Sequence, residues 1–234
     1  MLIPRIYSIH DQAITIELGT EINEDINIDV INLKKSFESD PFDGFIECVP
    51  AYSSLTIYFD EKTTSDEIIT EIKKRHQKLI ANKTNLYSNK KNSAEKSEEQ
   101  IITIPVCYDL EYGTDLKWLS EYLKLSIEEI IKLHTSQIFR VYMMGFIPGF
   151  AYMGTLPEQL QSPRKATPAS SIPIGSVAIA GKQTGIYPAQ VPGGWQLIGR
   201  TPVKMFDKNR TPSCFLKTGD LVQFKSISKE IFET

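Results

Sequence analysis

RVYMMGFIPGFAYMGTLPEQLQSPRKATPASSIPIGSVAIAGKQTGIYPAQVPGGWQLIGRTPVKMF, residues 140–206, is the stretch that decides the fold. Nine of the chain's 13 glycines fall in it, from Gly145 to Gly199, with eight of its 13 prolines, from Pro148 to Pro202. Both residue types punctuate chains at tight turns. Between them stand short apolar runs: QIFRVYMMGF, which begins just upstream, then GSVAIAG, QTGIYP and GWQLIGR, with DLVQFK following further on. Short strands at this spacing, each bounded by turn residues, predict a closed or nearly closed β-barrel.

Moving upstream, QIITIPVCYD reads as one more strand of the same unit, followed by two short helices. DLKWLSEYLKL can begin at Asp115. SIEEIIKLH begins at Ser126, with Glu129 in capping-box register, and sets His134 in its last turn. Residues 83–100, KTNLYSNKKNSAEKSEEQ, are polar with no apolar period, and predict a solvated linker. Before them, IPRIYSIH and AITIELG alternate at period two, and GFIECVP and SSLTIYFD are two further strands. EDINIDVINLKKSFES carries Ile26, Val30, Leu33 and Phe37 as a helical stripe. A second helix starts at Thr64, with Glu67 completing a capping box, and turns Ile68, Ile72, Leu79 and Ile80 to one face. The expected organisation is a small α+β domain over residues 1–82 with helices on one side of a sheet, a linker over 83–100, and a barrel domain over 101–234.

The 234 residues are 41% hydrophobic and 24% charged, as in an ordinary globular protein. No window approaches the roughly 18 apolar residues of a membrane helix. The start, MLIPRIYSIHDQAITIEL, reads as alternating strand rather than a secretory signal. Cys48, Cys107 and Cys214 are too widely spaced for a disulfide framework, so a reducing, cytoplasmic setting is expected. The net charge is −3. Residues 1–83 hold 9 basic and 15 acidic side chains, and residues 101–234 hold 14 and 11. That mild excess of positive charge is no footprint for nucleic acid.

Several chemistries are excluded by what the motifs lack. Five residues rather than four separate Gly175 from Gly181-Lys182, Gln183 follows the lysine, and the segment reads strand-to-turn, so it is no phosphate-binding loop. Neither GxSxG nor HExxH occurs. His10, His76 and His134 show no metal-ligand spacing, and no metal site is expected. Within residues 140–206, Phe146, Phe150, Tyr152, Tyr187 and Trp195 can wall a pocket, and Arg140, Arg164, Lys165, Lys182 and Arg200 can receive a carboxylate. Gln183 and Thr184 offer neutral hydrogen bonds. The same residues also suit tight barrel corners with core aromatics. For His134 two roles stay open: bonding a free carbonyl at a helix end, or general acid–base work.

LKLSIEEIIKLHTS, RVYMMGFIPGFAYMGTLP, SPRKATPASSIPIGSVAIAGKQTGIYP, PGGWQLIGRTP and LKTGDLVQF, in this order and at these intervals, closely resemble the KipI/PxpB family, also described as allophanate hydrolase subunit 1. The resemblance covers nearly the whole chain and is strongest over residues 126–224. Ala189–Val191 are more apolar than the family pattern, and the linker is longer. That family groups 5-oxoprolinase B subunits, an inhibitor of a sporulation histidine kinase, and part of the carboxyltransferase region of urea amidolyases. The resemblance implies an N-terminal α+β domain followed by a C-terminal cyclophilin-like β-barrel. Prolyl isomerase activity is not implied, since a fold does not carry its function with it.

In function, the resemblance implies one subunit of a cytoplasmic, ATP-dependent hetero-oligomer that opens 5-oxo-L-proline to L-glutamate. Its partners would be an A subunit of LamB/YcsF type and a carboxyltransferase-like C subunit. ATP would act at the level of the complex, and the isolated chain would be inactive. The chain's expected share is a pocket wall for a small carboxylate-bearing amide. His134 would be the catalytic group, and Arg140, Gln183, Thr184, Tyr187 and Trp195 would contact substrate, with Gly181 and Gly185 allowing close approach. The alternatives are inhibition of a histidine kinase, or carboxyl transfer to urea or allophanate. None of the five methionines precedes a lysine, so any biotin would arrive on another chain.

Overall fold

The structure is a computed structural model that describes residues 3–89 and 100–234. The chain divides into two compact units, residues 1–98 and 99–234.

In the first unit β1 (Arg5–His10), β2 (Ala13–Glu17), α1 (Glu24–Ser39), β3 (Phe45–Pro50), β4 (Ser54–Phe59) and α2 (Ser65–Asn89) follow in order. The strands form an antiparallel sheet in the order β1-β2-β4-β3. One face of it, built from Ile14, Ile16, Leu55, Ile57 and Phe59, packs with Val30, Leu33 and Phe37 of α1 and Ile68 and Ile72 of α2. The alternation of the strands and the stripe of the helices thus meet in one core. The Thr64–Glu67 capping box closes in both directions: Thr64 N–H donates to the Glu67 carboxylate at 2.9 Å, and Glu67 N–H to Thr64 Oγ1 at 3.4 Å. The last turn of α1 has no basic residue of its own. Arg75 of α2 supplies the cation, donating to the carbonyls of Ser36 and Asp40 with its guanidinium 4.5 Å above the Phe37 ring. Helix α2 runs on to Asn89, through the first seven residues expected as linker. Lys83 anchors that extension to α1 through Asp29 at 2.5 Å. The rest of the expected linker, 90–99, lies outside the described residues.

The second unit contains β5 (Ile101–Cys107), α3 (Leu116–Leu123), α4 (Ile127–Thr135), β6 (Ile138–Met144), β7 (Ala151–Gly154), β8 (Ala169–Ile172), β9 (Ser176–Ala180), β10 (Gln183–Ile186), β11 (Val191–Gly193), β12 (Gln196–Arg200), β13 (Leu221–Ile227) and α5 (Lys229–Phe232). Seven strands close a barrel in the order β10-β7-β6-β13-β5-β12-β9. Its first and last strands, β5 and β13, are parallel neighbours over seven residue pairs, and β8 and β11 form a separate two-stranded ribbon. The interior is filled by Ile104, Val106, Phe139, Val141, Met153, Val177, Ile179, Ile186, Ile198, Val222 and Phe224. A second apolar cluster lies on the outer wall: Phe150, Ile172, Ala178, Ala180, Tyr187, Trp195 and Leu197. Strand β9 explains how the two coexist. Val177 and Ile179 face inward and Ala178 and Ala180 outward, so SVAIA is buried on both sides.

Candidate functional site

The site is built around β10, where alternation sorts the expected residues onto two faces. Thr184 and Ile186 face the barrel interior, while Gln183 and Gly185 face the outer wall, and Tyr187 just beyond the strand joins the outer cluster. Pairing extends the outer row sideways: Arg140 on β6 stands opposite Gly154 on β7, Gly154 opposite Gln183, and Gln183 opposite Ala180 on β9. Arg140 and Gln183, distant in sequence, therefore flank one glycine on the same wall. The next row is Tyr152, Gly185, Ala178 and Leu197.

Aromatic rings close over this second row. Phe150 lies 4.8 Å from Tyr152, 5.2 Å from Tyr187 and 5.5 Å from Trp195, each edge to face. A Cβ on Gly185 would stand 3.0 Å from the Phe150 ring and 3.1 Å from both the Trp195 ring and the Ala151 carbonyl. Glycine is needed there so that aromatic rings can approach the strand. Phe150, Tyr187 and Trp195 are buried. Tyr187 and Trp195 are thus packed backing, and the half-buried Tyr152 is the ring nearer the surface. Gly181, by contrast, has a φ of +56° on an exposed turn, and a Cβ there would meet nothing within 4 Å.

His134 is not at this surface. Its side chain is fully enclosed, stacked 4.5 Å from Phe224. Tyr108 Oη lies 2.8 Å from Nδ1 and Thr184 Oγ1 lies 2.9 Å from Nε2. Thr184 donates its one proton to the Ala178 carbonyl at 3.2 Å, so it accepts from His134 Nε2–H, and Nδ1 accepts from the Tyr108 phenol. Every polar group in this relay is satisfied with the imidazole neutral. Burial lowers the His134 pKa to about 3 and drives the Tyr108 phenol far above its ordinary range. Both side chains, that of His134, expected as the catalytic group, and that of Thr184, expected as a substrate contact, lie inside the barrel, away from the outer wall. Position in the sequence puts His134 at a helix end, but cannot show that its ring enters the core.

The five candidate cations separate clearly. Lys165 pairs with Asp115 at 2.6 Å, and Arg200 donates to the Ile174 carbonyl at 2.7 Å. Arg140 is buried, whereas Lys182 and Arg164 are exposed. Burial raises the pKa of the Tyr152 and Tyr187 phenols, and the positive charge of Arg164 pulls both the other way. Asp115, which the sequence marks only as a helix start, has a further role. Its carboxylate caps no helix N–H; it accepts from Leu197 N–H at 2.6 Å and holds Lys165. Among the described residues, no group of three or more His, Cys, Asp or Glu side chains is placed to hold a metal ion. A groove of about 420 Å³ in the first unit, lined by Asp40, Glu71, Lys74, Arg75 and Lys78 among others, is separate from this wall.

The second unit is a closed seven-stranded barrel with an aromatic-covered outer wall, preceded in sequence by a four-stranded α+β unit. The chain belongs to the family described as carboxyltransferase domain, subdomain C and D, whose pattern it matches over residues 4–216. The KipI/PxpB resemblance read from the sequence is borne out by a curated relative. That relative, the 5-oxoprolinase B subunit of Bacillus subtilis, is 41% identical over 228 residues, 97% of this chain and 94% of the relative. The crystal structure of TTHA0988 shares 30% identity with a TM-score of 0.76 over 93% of this chain, which spans 40% of that protein. The K. lactis urea amidolyase, 17% identical with a TM-score of 0.73, shares the fold over 98% of this chain and 15% of its own length. No helix among the described residues is long and apolar enough to cross a membrane.

Proposed function

We propose that this chain is the B subunit of a cytoplasmic, ATP-dependent 5-oxoprolinase, working with an A subunit of LamB/YcsF type and a carboxyltransferase-like C subunit. The observation that carries the reading is the near full-length match to a protein named as a 5-oxoprolinase B subunit. In the overall reaction 5-oxo-L-proline, ATP and water give L-glutamate, ADP and phosphate. The lactam is an unstrained amide, which is why its opening is coupled to ATP. The Gly175–Lys182 segment is a strand running into an exposed turn, with no helix N-terminus there to receive phosphates, so ATP is expected on a partner subunit.

The chain's own contribution is binding and orientation. The outer wall beside β7 and β10 offers Gln183 and Arg140 about Gly154, the open turn at Gly181, and the Tyr152 face backed by Tyr187 and Trp195. His134 acts from behind the wall as a positioning residue: it fixes Thr184, the neighbour of Gln183 on β10. The test is reconstitution. The isolated chain is expected to show no 5-oxoproline-dependent ATP hydrolysis, and activity is expected on adding A- and C-type subunits. Turnover by this chain alone would refute the division of labour. An inactive reconstituted mixture that instead blocks autophosphorylation of a sporulation histidine kinase would replace the reading with that of an inhibitor.

A further inference from the structure

Residues 162–165, SPRK, lie along the turn at Gly181 and are held from every side but one. Ser162 forms an antiparallel bridge with Gly181, its carbonyl accepting from Gly181 N–H at 2.6 Å. The Pro163 carbonyl accepts from Gln196 Nε2 at 3.0 Å. Lys165 N–H donates to the Gly194 carbonyl at 2.7 Å, and its ammonium is held by Asp115 at 2.6 Å. Between these fixed points Arg164 projects into solvent, and among the described residues no carboxylate faces it. An exposed guanidinium on an immobilised backbone is preorganised for an anion.

Ser162 supplies the second observation. Its side chain is buried at 3% exposure, yet its hydroxyl has no hydrogen-bond partner. Two other buried side-chain oxygens among the described residues lack a hydrogen bond, Glu17 Oε2 and Asp29 Oδ1. Both face cations, Arg5 at 3.4 Å and Lys83 at 2.5 Å. Ser162 Oγ has neither a hydrogen bond nor a facing cation of this kind. A buried hydroxyl left unpaired is costly, and such groups in native proteins call for a reason. It stands two residues from the projecting arginine, against a turn with open space in front of it.

We infer that Ser162 and Arg164 form the carboxylate end of the substrate subsite: Arg164 pairs with the carboxylate of 5-oxo-L-proline, and the Ser162 hydroxyl donates to the same ligand. This rests on the reading of the preceding subsection and adds to it the residues that select an acidic lactam over a neutral one. Tyr152, with Tyr187 packed behind it, forms the adjoining wall, and both phenols sense the charge of Arg164.

The test uses the intact chain and two probes, 5-oxo-L-proline and 2-pyrrolidinone, the same lactam without its carboxylate. Calorimetric titration of the wild-type chain is expected to show the acid binding at least roughly tenfold tighter, the lower end for one charged hydrogen bond. Arg164→Gln should lose that preference, weakening the acid by roughly 10- to 150-fold and leaving pyrrolidinone unchanged. Arg164→Lys should restore part of it, and Ser162→Ala should weaken the acid by roughly three- to tenfold. Arg164 is exposed, so circular dichroism should report a normal fold for both of its variants. Absence of discrimination by the wild-type chain, or an unchanged preference in Arg164→Gln, overturns the inference. So does a variant that binds normally but no longer assembles with its partners, which makes Arg164 an interface residue. The reconstituted assay separates the two levels. Normal KM and kcat with Arg164→Gln refutes the subsite alone. No turnover by a complex whose B subunit discriminates the probes refutes the oxoprolinase reading alone.

Discussion

Acid should weaken the barrel through His134, and the size of the effect follows from its burial. Unfolded, the imidazole has an ordinary pKa near ~6.5; folded, enclosure beside Phe224 lowers it to about 3. Between those values the unfolded chain binds a proton that the folded chain excludes. Stability from this group is therefore complete above the unfolded pKa and is lost as pH falls toward the folded one, by about 1.4 kcal/mol per pH unit. From pH 7 to pH 5 the expected loss is about 2 kcal/mol. Both tryptophans, Trp118 and Trp195, lie in the barrel unit, so their emission during urea unfolding reads this unit. His134→Gln gives the control: its amide can donate toward Thr184 and accept from Tyr108, but cannot titrate. At pH 7 the variant should be less stable by about 1–3 kcal/mol, and by pH 5 the gap should shrink by about 2 kcal/mol. His76, whose pKa is also lowered by burial, is common to both proteins and cancels. Parallel pH profiles for wild type and variant would show that His134 is charged or solvated when folded, and would remove the basis for treating it as a positioning residue.

Two further outcomes follow from packing. Gly185→Ala forces a methyl against the Phe150 and Trp195 rings and the Ala151 carbonyl, so urea unfolding should show a loss of about 1–3 kcal/mol, with a shift in Trp195 emission. Arg75→Ala in the first unit strips the cation from the end of α1 and from the Phe37 ring. It should cost that unit about 1–3 kcal/mol by far-UV circular dichroism, without moving the tryptophan-detected transition.

How far the sequence can be read depends on how long each pattern runs. The stripe through Val30, Leu33 and Phe37, the Ser126–Glu129 capping box and the strand in QTGIYP are local patterns, and each sits in the structure where spacing puts it. Strands β7, β8 and β11 leave no such mark. They have four, four and three residues; β11 contains Pro192 and β8 is bounded by Pro168 and Pro173, so no alternation can register. The α2 helix outruns its apolar stripe because an ion pair, Lys83 with Asp29, holds a polar turn in place. The site is legible as a region but not as an arrangement. Gln183 and Thr184 are neighbours in sequence and lie on opposite faces of the wall, because successive side chains of a strand point to opposite sides. Ser162, Asp115 and Tyr108 carry no motif signal; what distinguishes them is the partner each finds or lacks, which only the folded backbone determines.

The parallel seam between β5 and β13 gives the barrel a mechanical character. The seam runs in register from Ile101 opposite Leu221 to Cys107 opposite Ile227. Because the strands are parallel, the start of the first and the end of the last lie at opposite ends of the seam. Tension between residues 101 and 227 pulls along the strands rather than across them. The ladder bonds then bear the load together in shear, where an antiparallel hairpin pulled at its two ends would release them one by one. A force reaching the barrel through residues 100 and 228 meets its strongest resistance at that seam, while the outer wall at β7 and β10, on the far side of the ring, carries little of it.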